Sequence, residues 1–156
     1  LRYDVVGTGS QQAMLHALAR ACGVADAVRF LPTIADAELP ALYNLAEIYV
    51  GASRQTARGV EGFGIALLEA AACAKPVVAG RSGGIPDAVR ERETGLLVDP
   101  ESPEAVASAL STLLKAPHLG RTLGQAGRRA VETFFNWDRV TADLRAISQA
   151  APAHGA

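Results

Sequence analysis

Cysteine is scarce: Cys22 and Cys73 are the only two in 156 residues. They lie far apart in Ala-rich, helical surroundings, which excludes a disulfide framework and a cysteine metal site. Buried, reduced thiols of a cytosolic protein are the expectation. Aromatic residues are only 5% of the chain, and no basic run interleaves with them, so nothing suggests a nucleic-acid partner. No apolar run approaches the roughly 18 residues needed to span a bilayer. The opening L-R-Y-D-V-V-G reads as a strand, not as a signal peptide. The three histidines, His16, His118 and His154, have no carboxylate or cysteine partner nearby in sequence and are expected to be structural or solvated. An initiating methionine is also missing, and we expect a piece of a longer protein.

What is present is ordinary globular composition. Hydrophobic residues make up 49%, and 15 basic side chains meet 16 acidic ones. That length can bury a sizeable core as one domain. We expect a single Rossmann-like domain over 1–150 and a disordered tail over 151–156, with no internal repeat.

Short apolar runs alternate with helical patterns, the mark of βαβ units and a mostly parallel sheet in three layers. Strands are expected at Tyr3–Gly7, Val28–Leu31, Glu47–Ala52, Pro76–Gly80 and Leu96–Val98. The first helix should run from Gln11 to Cys22, with Gly23 as its C-cap. Asp36 is expected to cap a helix through Leu45, with Pro40 in its first turn. Further helices are read at Ile65–Ala74, Pro86–Arg90, from Pro103 through Leu114, and at Leu119–Phe135 and Trp137–Ile147. Trp137 and the Phe134–Phe135 pair are expected to be packing residues.

The eleven residues Glu61 to Ala71, E-G-F-G-I-A-L-L-E-A-A, carry the most chemistry. Glycines let backbone approach a ligand closely. The helix start offers unpaired N–H groups and a positive dipole end, which suit a phosphate. Glu61 and Glu69 are acceptor-only groups able to grip pairs of hydroxyls. Helical side chains lean toward the N-terminus, so Glu69 is expected to point toward the same mouth as Glu61. Hydroxyl, diphosphate and hydroxyl in a row describe a nucleotide sugar.

Other positions are weaker. Gly7-Thr8-Gly9 follows a strand and opens a helix, but Gln12 replaces the third glycine of a dinucleotide fingerprint. No acidic strand end follows about twenty residues on. Ser82-Gly83-Gly84 is read as a turn starting the next helix, with Asp87 favouring its dipole. Arg54 and Arg58 precede the acidic motif and could face a phosphate or an acceptor.

The E-x(7)-E spacing with G-F-G-I between resembles the donor-site signature of retaining GT-B glycosyltransferases, family 4. The segments E-L-P-A-L-Y-N-L-A-E-I-Y-V-G-A-S-R (Glu38 to Arg54), A-C-A-K-P-V-V-A-G-R-S-G-G-I-P-D-A-V (Ala72 to Val89), T-G-L-L-V-D-P (Thr94 to Pro100) and F-F-N-W-D-R-V (Phe134 to Val140) extend the likeness. It covers Val5 to Ile147. The resemblance implies the donor-binding half of a hexosyltransferase, the second domain of a GT-B fold. It implies that Glu61 meets the donor sugar, Glu69 the ribose, and the backbone of Gly62, Phe63, Gly64 and Ile65 the sugar or phosphates. The turn at Gly7 and Gly9 would lie near the nucleotide. The loop at Thr33 and Ile34 would read the base, although Pro32 stands where the family commonly has Gly. The segment R-Q-T-A-R-G-V-E-G-F-G-I is most similar to glycolipid-forming mannosyltransferases, which makes GDP-mannose the first donor to try among GDP- and UDP-linked sugars. No metal or cofactor is implied, because no D-x-D pattern occurs. The family setting is cytoplasmic, with a peripheral association of the full-length protein at the inner membrane face as one option.

The likeness is also incomplete. The family's second domain opens with a strand and an Arg–Lys pair that grips the diphosphate, and neither has a counterpart here. The first domain, with its acceptor site, is missing as well. In a sheet of order 3-2-1-4-5-6 the missing strand is central, so two inner edges lose their partner. Either the sheet closes up or another copy or chain fills the gap. The piece alone is expected to be catalytically silent. Two rivals remain: a non-catalytic nucleotide-binding or assembly module, and an NAD-dependent Rossmann domain, the latter disfavoured by the incomplete glycine fingerprint.

Overall fold

The computed structural model describes residues 1–57 and 59–150. The chain divides into two compact units, Leu1–Ala41 and Leu42–Ala156. The expected tail at 151–156, with His154, lies outside the described residues.

The first unit is a βαβ arrangement: strand β1 (Tyr3–Val6), helix α1 (Gln12–Ala21), a 3-10 turn at Ala25–Ala27, and strand β2 (Val28–Leu31). The strands are parallel, with Tyr3 opposite Val28 and Val6 opposite Leu31. That register sets Asp4 across from Arg29, and the guanidinium donates to both carboxylate oxygens at 2.8 and 2.7 Å. His16 stacks on Phe30 with centroids 4.0 Å apart, consistent with a structural role. Helix α1 ends at Cys22, and Gly23 follows with φ +68°. Cys22 is exposed, against the expectation of a buried thiol, because the helix ends there and its neighbours Arg20, Ala21 and Gly23 are exposed too. Cys73 is only half-buried.

Helix α2 (Leu39–Leu45) contains the boundary between the units. It begins two residues later than Asp36 capping requires. The segment 36–38 forms turns instead, since Pro40 has no N–H to close an α-helical bond onto residue 36. Pro40 does lie in the first turn of α2.

The second unit holds strands β3 (Tyr49–Gly51), β4 (Val77–Gly80) and β5 (Leu96–Val98) in the order β3-β4-β5, all parallel. Helices α3 (Ile65–Ala72), α4 (Ile85–Ala88), α5 (Pro103–Lys115), α6 (Pro117–Thr133) and α7 (Trp137–Ala150) complete it. All four residues of β4 are buried, as an apolar run between two covered faces should be. Alternation sends Val77 and Ala79 against Leu67 and Ala70 of α3 and Ile85 and Ala88 of α4. It sends Val78 the other way, against Ala109 and Leu113 of α5 and Leu123 of α6. The expected three layers are thus present here, with helices on both faces of a parallel sheet. Each large side chain in these clusters stabilises the fold by roughly 1.5–3 kcal/mol. Helix α5 starts as its sequence dictates: Pro103 sits in its first turn, and Ser102 Oγ accepts from the Ala105 amide at 3.1 Å.

Among the described residues β1 pairs only with β2, and β3 only with β4. The strand and helix bounds otherwise fall within a few residues of expectation, β3 being shorter than Glu47–Ala52.

Trp137 is 81% exposed and is not the packing residue expected. It shares a solvent-facing apolar side of α7 with Leu144 and Ile147, at the three-to-four-residue spacing of one helix face.

Candidate functional site

The acidic motif lies wholly in the second unit. Its loop leaves β3 and enters α3 through Gly64, the N-cap residue, at φ +84° and ψ 52°. The left-handed turn demands glycine, and a Cβ there would also sit 2.7 Å from Leu67 Cδ1, which would have to shift. Glu61 folds back over this turn: its Oε1 accepts from the Gly64 amide at 3.1 Å. The carboxylate therefore sits at the positive end of α3, where negative charge is stabilised. Helix α3 runs through Ala72, with Leu67, Ala70 and Ala71 buried and Ile65 and Glu69 exposed.

A second glycine turn supports the loop from below. The Gly84 amide donates to the Glu61 carbonyl at 3.1 Å. A side chain on Gly83 would strike the Glu61 carbonyl, and one on Gly84 the Gly62 carbonyl. Gly83 also has φ +54°. Gly84 is the N-cap residue of α4 with Asp87 in its first turn, as the helix-starting reading expects. The turn has a further role that the spacing of residues 61 and 84 does not reveal: it fixes the height of the acidic loop.

Phe63 is held from the side. Its ring meets Phe135 edge-on at 5.8 Å, and Phe135 meets Phe134 at 4.9 Å. Arg139 lies over the Phe134 ring at 4.0 Å, a cation–π contact. The expected packing role of the Phe134–Phe135 pair is thus served by gripping this loop.

Glu69 has a partner that sequence reasoning missed. The Tyr43 hydroxyl donates to Glu69 Oε2 at 2.8 Å. The Tyr43 hydroxyl is pushed well above its ordinary acidity range, first by burial and then by this hydrogen bond. Tyr43 lies inside the quoted family segment, but no periodicity links it to a helix 26 residues away.

The remaining residues are placed as follows. Arg54 is exposed in the loop between β3 and α3, and Arg58 lies outside the described residues. In the first unit, the Gly7 amide donates to the Leu31 carbonyl of β2 at 3.1 Å, carrying the parallel pairing one residue past β1. A hollow of about 310 Å³ surrounds this turn, lined by Gly7, Thr8, Gly9, Gln12 and Phe30 among others. Thr33 is exposed and Ile34 half-buried in the loop after β2. Among the described residues no group of three or more His, Cys, Asp or Glu side chains converges as a metal site. Among the described residues no helix is long and apolar enough to cross a membrane.

Comparison with known proteins agrees with this geometry. The model of the family described as glycosyl transferases group 1 matches residues 1–130. A GDP-mannose-dependent alpha-(1-6)-phosphatidylinositol monomannoside mannosyltransferase of Mycobacterium tuberculosis is 42% identical over 142 residues, 90% of this chain and 37% of that protein. Among solved structures, the sucrose-phosphate synthase of Thermosynechococcus elongatus is similar with a TM-score of 0.82 and 31% identity, covering 94% of this chain and 37% of that one. The C-terminal domain of a glycosyl transferase group 1 family protein from Francisella tularensis is similar with a TM-score of 0.71 and 31% identity, over 81% of this chain and 63% of that domain. The fold is that of a GT-B glycosyltransferase, and the chain spans little more than a third of its curated mycobacterial relative.

Proposed function

The chain belongs to the glycosyl transferases group 1 family, and on that premise we propose that it binds the nucleotide-diphosphate sugar donor of a longer, retaining hexosyltransferase. The observation that carries this reading is the Glu61–Gly64 hydrogen bond of 3.1 Å. It holds an acceptor group beside the N-terminus of α3, where a diphosphate and a sugar hydroxyl would be recognised together. The backbone of Gly62, Phe63 and Ile65 lies against the sugar and phosphates, supported by the helix dipole, while Gly64, its amide taken by Glu61, contributes close approach rather than a donor. Glu61 accepts from donor-sugar hydroxyls, and Glu69 from the ribose.

GDP-mannose is the donor we favour, because the mycobacterial relative is named as GDP-mannose-dependent and the loop before the motif resembles that class. A UDP-linked sugar is the alternative base. Gly7, Gly9, Thr33 and Ile34 serve the nucleotide, and Arg54 and Arg58 a phosphate or the acceptor. The sugar moves with retention, the leaving diphosphate taking the acceptor proton on the same face. The protein's share is positioning and charge stabilisation. We assign it no cofactor and no metal, and a cytoplasmic setting, which two free thiols suit.

Calorimetric titration of the 156-residue chain with GDP, UDP and GDP-mannose tests this reading. Binding should occur, should be unchanged by EDTA, and should weaken roughly 10-fold or more in Glu69→Ala, since hydrogen bonds to a charged group contribute about 1.5–3 kcal/mol. Transfer by the chain alone should be undetectable. Binding that ignores Glu69→Ala would favour a nucleotide-binding or assembly module without a transferase-type pocket. Binding of NADH in place of GDP would favour a dehydrogenase-type domain.

A further inference from the structure

We propose that Tyr43 is a positioning residue for ribose recognition: its hydroxyl holds the Glu69 carboxylate in the orientation that accepts the ribose hydroxyls. This role depends on the donor-site reading above. A glutamate on an exposed helix turn samples several rotamers, and ordering it on binding costs affinity. Here the 2.8 Å bond from the Tyr43 hydroxyl fixes Oε2 before any ligand arrives. Tyr43 is itself braced, its ring meeting Tyr49 of β3 edge-on at 5.6 Å. A rigid path thus runs from the sheet through two aromatic rings to the carboxylate.

The chemistry leaves room for a ligand. A carboxylate offers about four lone-pair sites, and Tyr43 takes one of them on Oε2. Oε1 and the second lone pair of Oε2 can receive two vicinal hydroxyls. Burial and the bond itself keep the Tyr43 hydroxyl protonated, so it remains a donor over the neutral range. A competing reading makes the contact a mere tie between α2 and α3, and the two readings differ in what they do to ribose discrimination.

The test compares GDP with 2′,3′-dideoxy-GDP, which lacks the hydroxyls concerned, by calorimetric titration of the 156-residue chain. Tyr43→Phe keeps the ring and removes only the donor. It should weaken GDP about fivefold, the effect of one net hydrogen bond, and leave 2′,3′-dideoxy-GDP unchanged. Glu69→Ala, which removes the acceptor altogether, should likewise act on GDP alone, and Tyr43→Phe should add nothing in the Glu69→Ala background. Equal weakening of both nucleotides by Tyr43→Phe would make the contact a structural tie and overturn the proposal, as would no effect on GDP. A wild-type chain that binds neither GDP nor UDP would overturn the donor-site reading, and this role with it. Glu69→Ala weakening GDP alone while Tyr43→Phe changes nothing would overturn the role of Tyr43 and spare the donor-site reading.

Discussion

Glu61 and Gly84 are joined through the backbone, the Gly84 amide donating to the Glu61 carbonyl at 3.1 Å. Two loops that are distant in sequence therefore act as one floor for the acidic motif. A Cβ at position 84 would meet the Gly62 carbonyl, and backbone cannot give way as a flexible side chain can. Gly84→Ala is expected to destabilise the chain by about 1–3 kcal/mol, the usual cost of overpacking. It should also displace the loop and reduce GDP affinity. Urea denaturation and calorimetric titration of the same variant check both effects. A variant as stable and as avid as wild type would show that the loop does not depend on this floor.

Glu61 has a structural task besides the proposed one. Its Oε1 satisfies the Gly64 amide, which the start of α3 would otherwise leave without a partner. Glu61→Ala should cost about 1 kcal/mol of stability, as loss of a helix-capping side chain does. Glu61→Gln retains an amide oxygen acceptor and should cost less. Urea midpoints of the two variants, compared at equal slope, report the difference.

The bond between Tyr43 and Glu69 predicts an alkaline signature. The folded state raises the Tyr43 pKa above its ordinary value near 10, mainly through burial. The neutral hydroxyl is therefore favoured in the fold, and the stability it contributes is fully present below about pH 10. That stability declines as pH rises from there toward the raised folded value. Tyr43→Phe, with nothing to ionise at this position, should show a shallower loss of stability above pH 10. Thermal melts from pH 8 upward measure it, and parallel curves for the two proteins would contradict the assignment.

Much of the fold is written locally. The apolar run Val77–Gly80 specifies a strand covered on both faces, and β4 is buried throughout. Pro103 after Ser102 specifies the start of α5, and the capping bond is present. Local signals mislead where a neighbour competes with them. Asp36 has capping chemistry, yet Pro40 cannot supply the N–H that would extend α2 back to it. Trp137 has the chemistry of a core residue, yet its face of α7 points outward, and burial is decided by what lies opposite rather than by the residue alone.

The sequence by itself determined the order and type of the elements, the family, and the identity of the acidic motif, because these depend on periodicity, turn chemistry and residue spacing along the chain. Tertiary structure alone decided that Gly83 and Gly84 carry the loop of Glu61, that Phe135 grips Phe63, and that Tyr43 holds Glu69. Each of these is a contact between segments with no shared local pattern, fixed only when packing of the helices on the sheet brings distant backbone and side chains within hydrogen-bonding reach.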